Sequence, residues 1–103
     1  MPSALVPPKF SSETRTDTFD MTPYLAAGQT VSGVSGQCTV YTGVDTTPSA
    51  VLASTSFTSS SVSAEVTGGV TGVIYQIRLD AATTSPAGTL SLSYYLAVIP
   101  ELP

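Results

Sequence analysis

The stretch GGVTGVIYQIRLDAATTSPAG, residues 68–88, is the most regular segment of the chain. A glycine-broken turn leads into a run in which Val73, Tyr75, Ile77, Leu79 and Ala81 share one side. Ile74, Gln76, Arg78 and Asp80 take the other. Alternation of period two places a half-buried strand here. Thr83-Thr84-Ser85-Pro86-Ala87-Gly88 turns the chain back. Leu90, Leu92, Tyr94, Leu96 and Val98 then alternate with Ser91, Ser93, Tyr95 and Ala97, so the two runs make a predicted hairpin.

The same period recurs upstream in shorter pieces. Phe19 and Met21 oppose Thr18, Asp20 and Thr22, which predicts a strand over 15–21. Pro23 to Gly28 makes a corner with room for one helical turn. A second extended run starts at Gln29, but Val31 and Val34 are out of phase, and a bulge at Gly33 restores it. Val34, Gly36, Cys38 and Val40 then face one way and Ser35, Gln37, Thr39 and Tyr41 the other. Residues 43–48 read as a loop, Ala50–Ala53 as a short strand, and Val62, Ala64 and Val66 as the inward set of another. About seven short strands with turn signals every ten residues or so describe a β-sandwich.

Composition agrees. Only 10% of the residues are charged, against a usual ~25%. Ser and Thr fill the gap; Thr suits a pleated, half-exposed surface and Ser suits turns. Glu, Lys and Arg, which long helices favour, are scarce. At 103 residues the chain is one domain with one core. It divides into an extended Pro-rich arm at 1–14, a sandwich at 15–99 and a short tail at 100–103. In the arm, Pro2, Pro7 and Pro8 favour extended backbone over helix or central strand.

The chemistry of most functional classes is missing. The net charge is −4, and Lys9, Arg15 and Arg78 are the only basic residues. Three scattered cations cannot displace counterions along a nucleic acid or hold an anionic membrane. Nothing approaches the ~18 apolar residues of a membrane span, and the first residues do not read as a signal peptide. Histidine is absent, so no Ser-His or Cys-His nucleophile pair can form. The lone Cys38 excludes a zinc cluster and an intrachain disulfide, and its place on an apolar side predicts an inert buried thiol. The acids are spread thinly over expected loops and polar faces, which argues against a catalytic pair. Asp17-Thr18-Phe19-Asp20 lacks the glycine and closing glutamate of a calcium loop. Gly68-Gly69-Val70-Thr71-Gly72 precedes a strand and not a helix, so it is a turn and not a phosphate cradle. No catalytic residue, cofactor or metal is expected.

Two resemblances add to this reading. Gly72-Val73-Ile74-Tyr75-Gln76-Ile77-Arg78-Leu79, its following turn and the last alternating strand resemble the end of an immunoglobulin-like or fibronectin type III domain. That resemblance implies that Tyr75 anchors a corner through its hydroxyl. The buried tryptophan typical of the group is absent.

The second resemblance spans about residues 15–98. Asp17-Thr18-Phe19-Asp20-Met21-Thr22-Pro23-Tyr24-Leu25, Ala27-Gly28-Gln29-Thr30-Val31, Val66-Thr67-Gly68-Gly69, Gly72-Val73-Ile74-Tyr75 and Thr83-Thr84-Ser85-Pro86-Ala87-Gly88 are similar, in order and spacing, to the fiber-tail adaptor proteins of tailed phages. The last turn is one residue longer than the family's, and Met21 stands where Trp or another apolar residue is usual. The resemblance implies a virion structural protein made in the host cytoplasm. It would attach a fiber or spike to the tail or neck, contact other virion proteins and form a homo-oligomer. A capsid decoration protein bound to the major capsid protein is the alternative. A carbohydrate or cell-surface binding module, with Tyr41 and Tyr95 exposed, is a third.

The expected interface lies where apolar residues sit in segments too Pro-rich for a core. These are Leu5, Val6, Pro7, Pro8 and Phe10 at one end, and Ile99, Pro100 and Leu102 at the other. On this reading, deleting residues 1–10 leaves a folded sandwich that fails to join the particle.

Overall fold

A computed structural model describes residues 3–84 and 87–100. It is all-β apart from two short 3-10 turns, Thr22–Tyr24 and Pro48–Val51. The strands are β1 (Ser3–Leu5), β2 (Lys9–Phe10), β3 (Arg15–Asp20), β4 (Thr30–Thr42), β5 (Leu52–Phe57), β6 (Ser61–Val66), β7 (Ile74–Thr84) and β8 (Gly88–Ile99). One sheet has the order β3-β6-β5, and the other runs β4-β7-β8 with β1 and β2 both along the free side of β8. Counting β1 and β2 as two pieces of one strand, the sheets have four and three strands. The orders β3-β6-β5 and β4-β7-β8 match the B-E-D and C-F-G orders of immunoglobulin-like sandwiches.

The core is the alternation made physical. Tyr75, Ile77, Leu79 and Ala81 of β7 and Leu92, Tyr94, Leu96 and Val98 of β8 lie against Val62, Ala64 and Val66 of β6. The bulge expected at Gly33 is present, since the β4–β7 register slips between Val31 and Gly33. The corner after β3 is closed by the Thr22–Tyr24 turn. The strand expected at Ala50–Ala53 starts later: Pro48–Val51 is the second 3-10 turn, and pairing with β6 runs over Leu52–Phe57. Pro48 at the start of that turn suits its fixed φ.

The Gly68-Gly69 turn needs its glycines for geometry. Gly69 has φ +102°, and a Cβ there would lie 2.8 Å from a Val98 methyl carbon. Only a residue without a side chain allows the β6–β7 connection to pass that close to the end of β8.

The segment expected as an extended arm pairs in parallel with β8 of its own chain. Ser3 to Leu5 align with Ser93 to Tyr95, and Lys9 and Phe10 align with Val98 and Ile99. Between the two pieces Val6 packs against the core, while Pro7 and Pro8, which lack N–H donors, bridge without pairing. Lys9 is 0% exposed, and its ammonium donates to the carbonyls of Phe10 at 2.7 Å, Gly68 at 2.7 Å and Ser11 at 3.5 Å. A buried cation is tolerated only when such oxygens replace water.

This placement alters the expected outcome of truncation. Lys9→Ala strands buried carbonyls and should lower stability by about 1–3 kcal/mol. That corresponds to a melting temperature lower by roughly 5–15 °C for a domain of this size. Deleting residues 1–10 should lower it further, because the edge of β8 is uncovered as well. Thermal melts followed by circular dichroism measure both. Unchanged melting would mean that Lys9 does not tie the N-terminal segment to the sandwich.

Candidate functional site

The two termini meet at one edge. Phe10 and Ile99 are register partners, both half-buried, and Pro7, Pro8 and Pro100 are exposed beside them. Val6 faces inward against the core. Leu5 belongs to the β1 pairing with Tyr95. Leu102 lies outside the described residues. Residues expected at an interface from opposite ends of the sequence therefore share one edge, which parallel pairing on β8 brings about.

A charged anchor holds that edge, and sequence reasoning missed it. Asp17, expected on a polar face, is 8% exposed and points into the sandwich. The Tyr94 hydroxyl donates to Asp17 Oδ2 at 3.1 Å, across the interior from β8 to β3. Arg15 Nε lies 2.8 Å from Asp17 Oδ1 as an ion pair without hydrogen-bond alignment, and Arg15 Nη1 donates to the Pro8 carbonyl at 3.3 Å. Burial, followed by the Asp17 charge, raises the pKa of Tyr94 far above that of a free phenol. The signal for Asp17 was available: it shares the parity of Phe19 and Met21.

Tyr75 anchors a corner, as the immunoglobulin-like resemblance implies. Its hydroxyl accepts the Val70 N–H at 2.8 Å and donates to Asp45 Oδ2 at 2.7 Å. Burial first, and the bond to Asp45 second, push its pKa up to about 12. In return the Tyr75 hydroxyl, with help from the Thr47 N–H, holds the Asp45 carboxyl below its ordinary value. Asp80 is likewise lowered, first by the Ser91 hydroxyl and then by Arg78.

On the outer face of the β4-β7-β8 sheet, Gln37, Thr39, Gln76, Arg78 and Ser93 line a shallow depression of about 180 Å³. Beside it the rings of Tyr41 and Tyr95 meet at 4.6 Å, tilted 56°. Such a face can hydrogen-bond and stack with a neutral polar partner. Cys38 is buried, and burial raises its pKa to about 12. Among the described residues no group of His, Cys, Asp and Glu could hold a metal ion, and no helix is long and apolar enough to cross a membrane.

Two outcomes follow from these environments. Tyr75→Phe leaves the Val70 N–H without its acceptor and should cost about 1–3 kcal/mol in urea unfolding. Asp45 and Asp80 titrate below the unfolded value of 3.8, so the unfolded chain binds more protons in that window. Their contribution is complete above the unfolded pKa and is lost as pH falls through the folded one. The urea midpoint should therefore drop as pH falls below about 4, and less steeply in Tyr75→Phe. Separately, Cys38 should react with a thiol reagent only as fast as the protein unfolds, because little thiolate exists near neutral pH. Rapid labelling of the native protein would contradict its burial.

Comparison with known proteins bears on this architecture. Searches of curated proteins and of solved structures find no match. A family model does match, over residues 9–96, starting at the buried Lys9 and leaving out only the first eight and last seven residues of the chain. That family is described as podophage GP4 fiber-tail adaptor protein gp77, which carries a tail-associated structural role in the phage particle. A match over this much of an all-β chain shows the family: the protein belongs to the podophage GP4 fiber-tail adaptor proteins.

Proposed function

We propose that this protein is a non-enzymatic virion subunit that joins a fiber or spike to the tail or neck of a podophage through subunit–subunit contacts. The family match over residues 9–96 is the observation that carries the reading. The residue chemistry supports it: there is no histidine, and the buried polar residues serve as anchors within the fold. Its partners on this reading are other tail and fiber proteins, with further copies of itself in a symmetric assembly.

The proposed contact is the edge where the termini meet. Pro7, Pro8 and Pro100 are exposed there, flanked by Phe10 and Ile99. Val6 supports the edge from beneath. Leu5 and Leu102 belong to the proposed contact by their place in the sequence. Proline suits such a surface, because it offers shape and apolar area while donating no hydrogen bond to a neighbouring sheet.

Quantitative mass spectrometry of purified virions, scaled to the major capsid protein, tests the reading. A copy number far below that of the capsid protein is expected of a tail or neck subunit. A number comparable with the capsid protein would make this a decoration protein. Absence from virions would leave a free binding module, in which the Tyr41–Tyr95 pair and its polar depression would be the surface to test. Replacing Pro7, Pro8 and Pro100 together with Asp should leave melting unchanged and reduce incorporation into particles. Normal incorporation would remove this edge from the contact.

A further inference from the structure

Between Met21 and Ala64 the chain carries a single charged residue, Asp45. That carboxylate is already engaged by the Tyr75 hydroxyl and the Thr47 N–H. The fold gives this sequence feature a location. The uncharged stretch supplies β4 and β5, which are end strands of the two sheets. They lie on one side of the sandwich: a Cβ added at Gly36 of β4 would come within 3.0 Å of Leu52 and 3.1 Å of Thr55 on β5. On that side Phe57 of β5 is 46% exposed, while Tyr41 of β4 turns the other way, over β7, to meet Tyr95.

Edge strands expose unpaired backbone donors and acceptors, and soluble proteins usually guard them with charge, proline or short length. The other edges here are guarded or short: β5 is also free of charge and proline but has only six residues. Pro7 and Pro8 interrupt the N-terminal edge, and β3 carries Arg15, Asp17 and Asp20. By contrast β4 has 13 residues with neither a proline nor a charge. Its register shifts fall near its ends, between Val31 and Gly33 and between Val40 and Thr42, so Gly33–Val40 is a regular run.

We propose that the edge of β4 pairs with β4 of a second copy of this chain, antiparallel across a two-fold axis, making one continuous sheet of two subunits. A second copy fits because an added strand must itself be long, uncharged and free of proline. The other edge of the same sheet is broken by Pro7-Pro8, so a homotypic contact in this sheet joins β4 to β4. A two-fold contact is self-complementary, and a neutral edge meets its own image without opposing like charges. This inference rests on strand order and charge placement, and it stands apart from the adaptor reading.

Sedimentation velocity of the full chain over a dilution series is the test, with the double variant S35K/T39K beside the wild type. Both positions are exposed, and within one subunit they align directly with Asp80 and Gln76; Arg78 lies between them, diagonal to each, so a circular dichroism melt checks that the variant stays folded. Antiparallel pairing about the middle of β4 brings the four lysines of two subunits close together. Like charges opposed across strands should weaken association by roughly tenfold or more. The expected result is a concentration-dependent wild-type dimer and a folded, monomeric variant. A wild type that stays monomeric at every concentration overturns the proposal, and so does a variant that dimerises as tightly as the wild type. Hydrogen exchange of the wild type needs no variant: amides of Gly33–Val40 should gain protection as concentration rises. Concentration-independent exchange of those amides would also overturn it.

Discussion

Two tyrosines impose the constraint on which this sandwich depends. The chain has no tryptophan, and its buried aliphatic residues are mostly Val, Ala, Leu and Ile. Tyr75 and Tyr94 are its largest fully buried side chains. Each fills volume between the sheets but also brings a hydroxyl inside, where an unpaired polar group is costly. Each hydroxyl is met by an aspartate far away in the sequence, Asp45 for Tyr75 and Asp17 for Tyr94. The polar anchors then spread outward. Asp17 holds Arg15, which reaches the Pro8 carbonyl, and Asp45 holds the start of the loop before β5 through the Thr47 N–H.

These anchors explain how a chain with few charges uses them. Lys9, Arg15 and Asp17 join the N-terminal segment to the sandwich, while Arg78 and Asp80 pair with each other on the outer face. Half of the ten charged residues are thus committed to contacts within the fold, and Ser and Thr take up much of the surface. With only 10% of the residues charged, the electrostatic repulsion that would oppose close packing of like subunits is limited. That property fits a structural component better than a protein that must steer a charged ligand.

The edge proposed as the contact was legible in part. The termini stood out because Leu5, Val6, Phe10, Ile99 and Leu102 are apolar residues among prolines, a pattern that suits neither a core strand nor free solvent. The meeting of Phe10 with Ile99 at one edge was not legible, because parallel pairing of the first residues with the last strand leaves no periodic trace. Val6 shows the limit of the argument, since an apolar residue near proline can pack on its own domain as well as on a neighbour. Cys38 was read correctly from parity alone, because a small thiol on the inward side of a strand needs no partner to be placed.

By itself the sequence determined the class of the fold, most strand positions and the inward residues of β6, β7 and β8, because period-two alternation is a local consequence of the pleat. It also shows that no Ser-His or Cys-His pair can form, since histidine is absent. The tertiary structure alone decided that the N-terminal segment closes onto β8, that Lys9 is buried and that Asp17 is an interior anchor. Burial of a charged side chain is settled by its partners, and those lie 59 residues away for Lys9 and Gly68 and 77 for Asp17 and Tyr94. Parity with Phe19 marks the side that Asp17 takes, but no local pattern names its partner, because only folding brings the groups together.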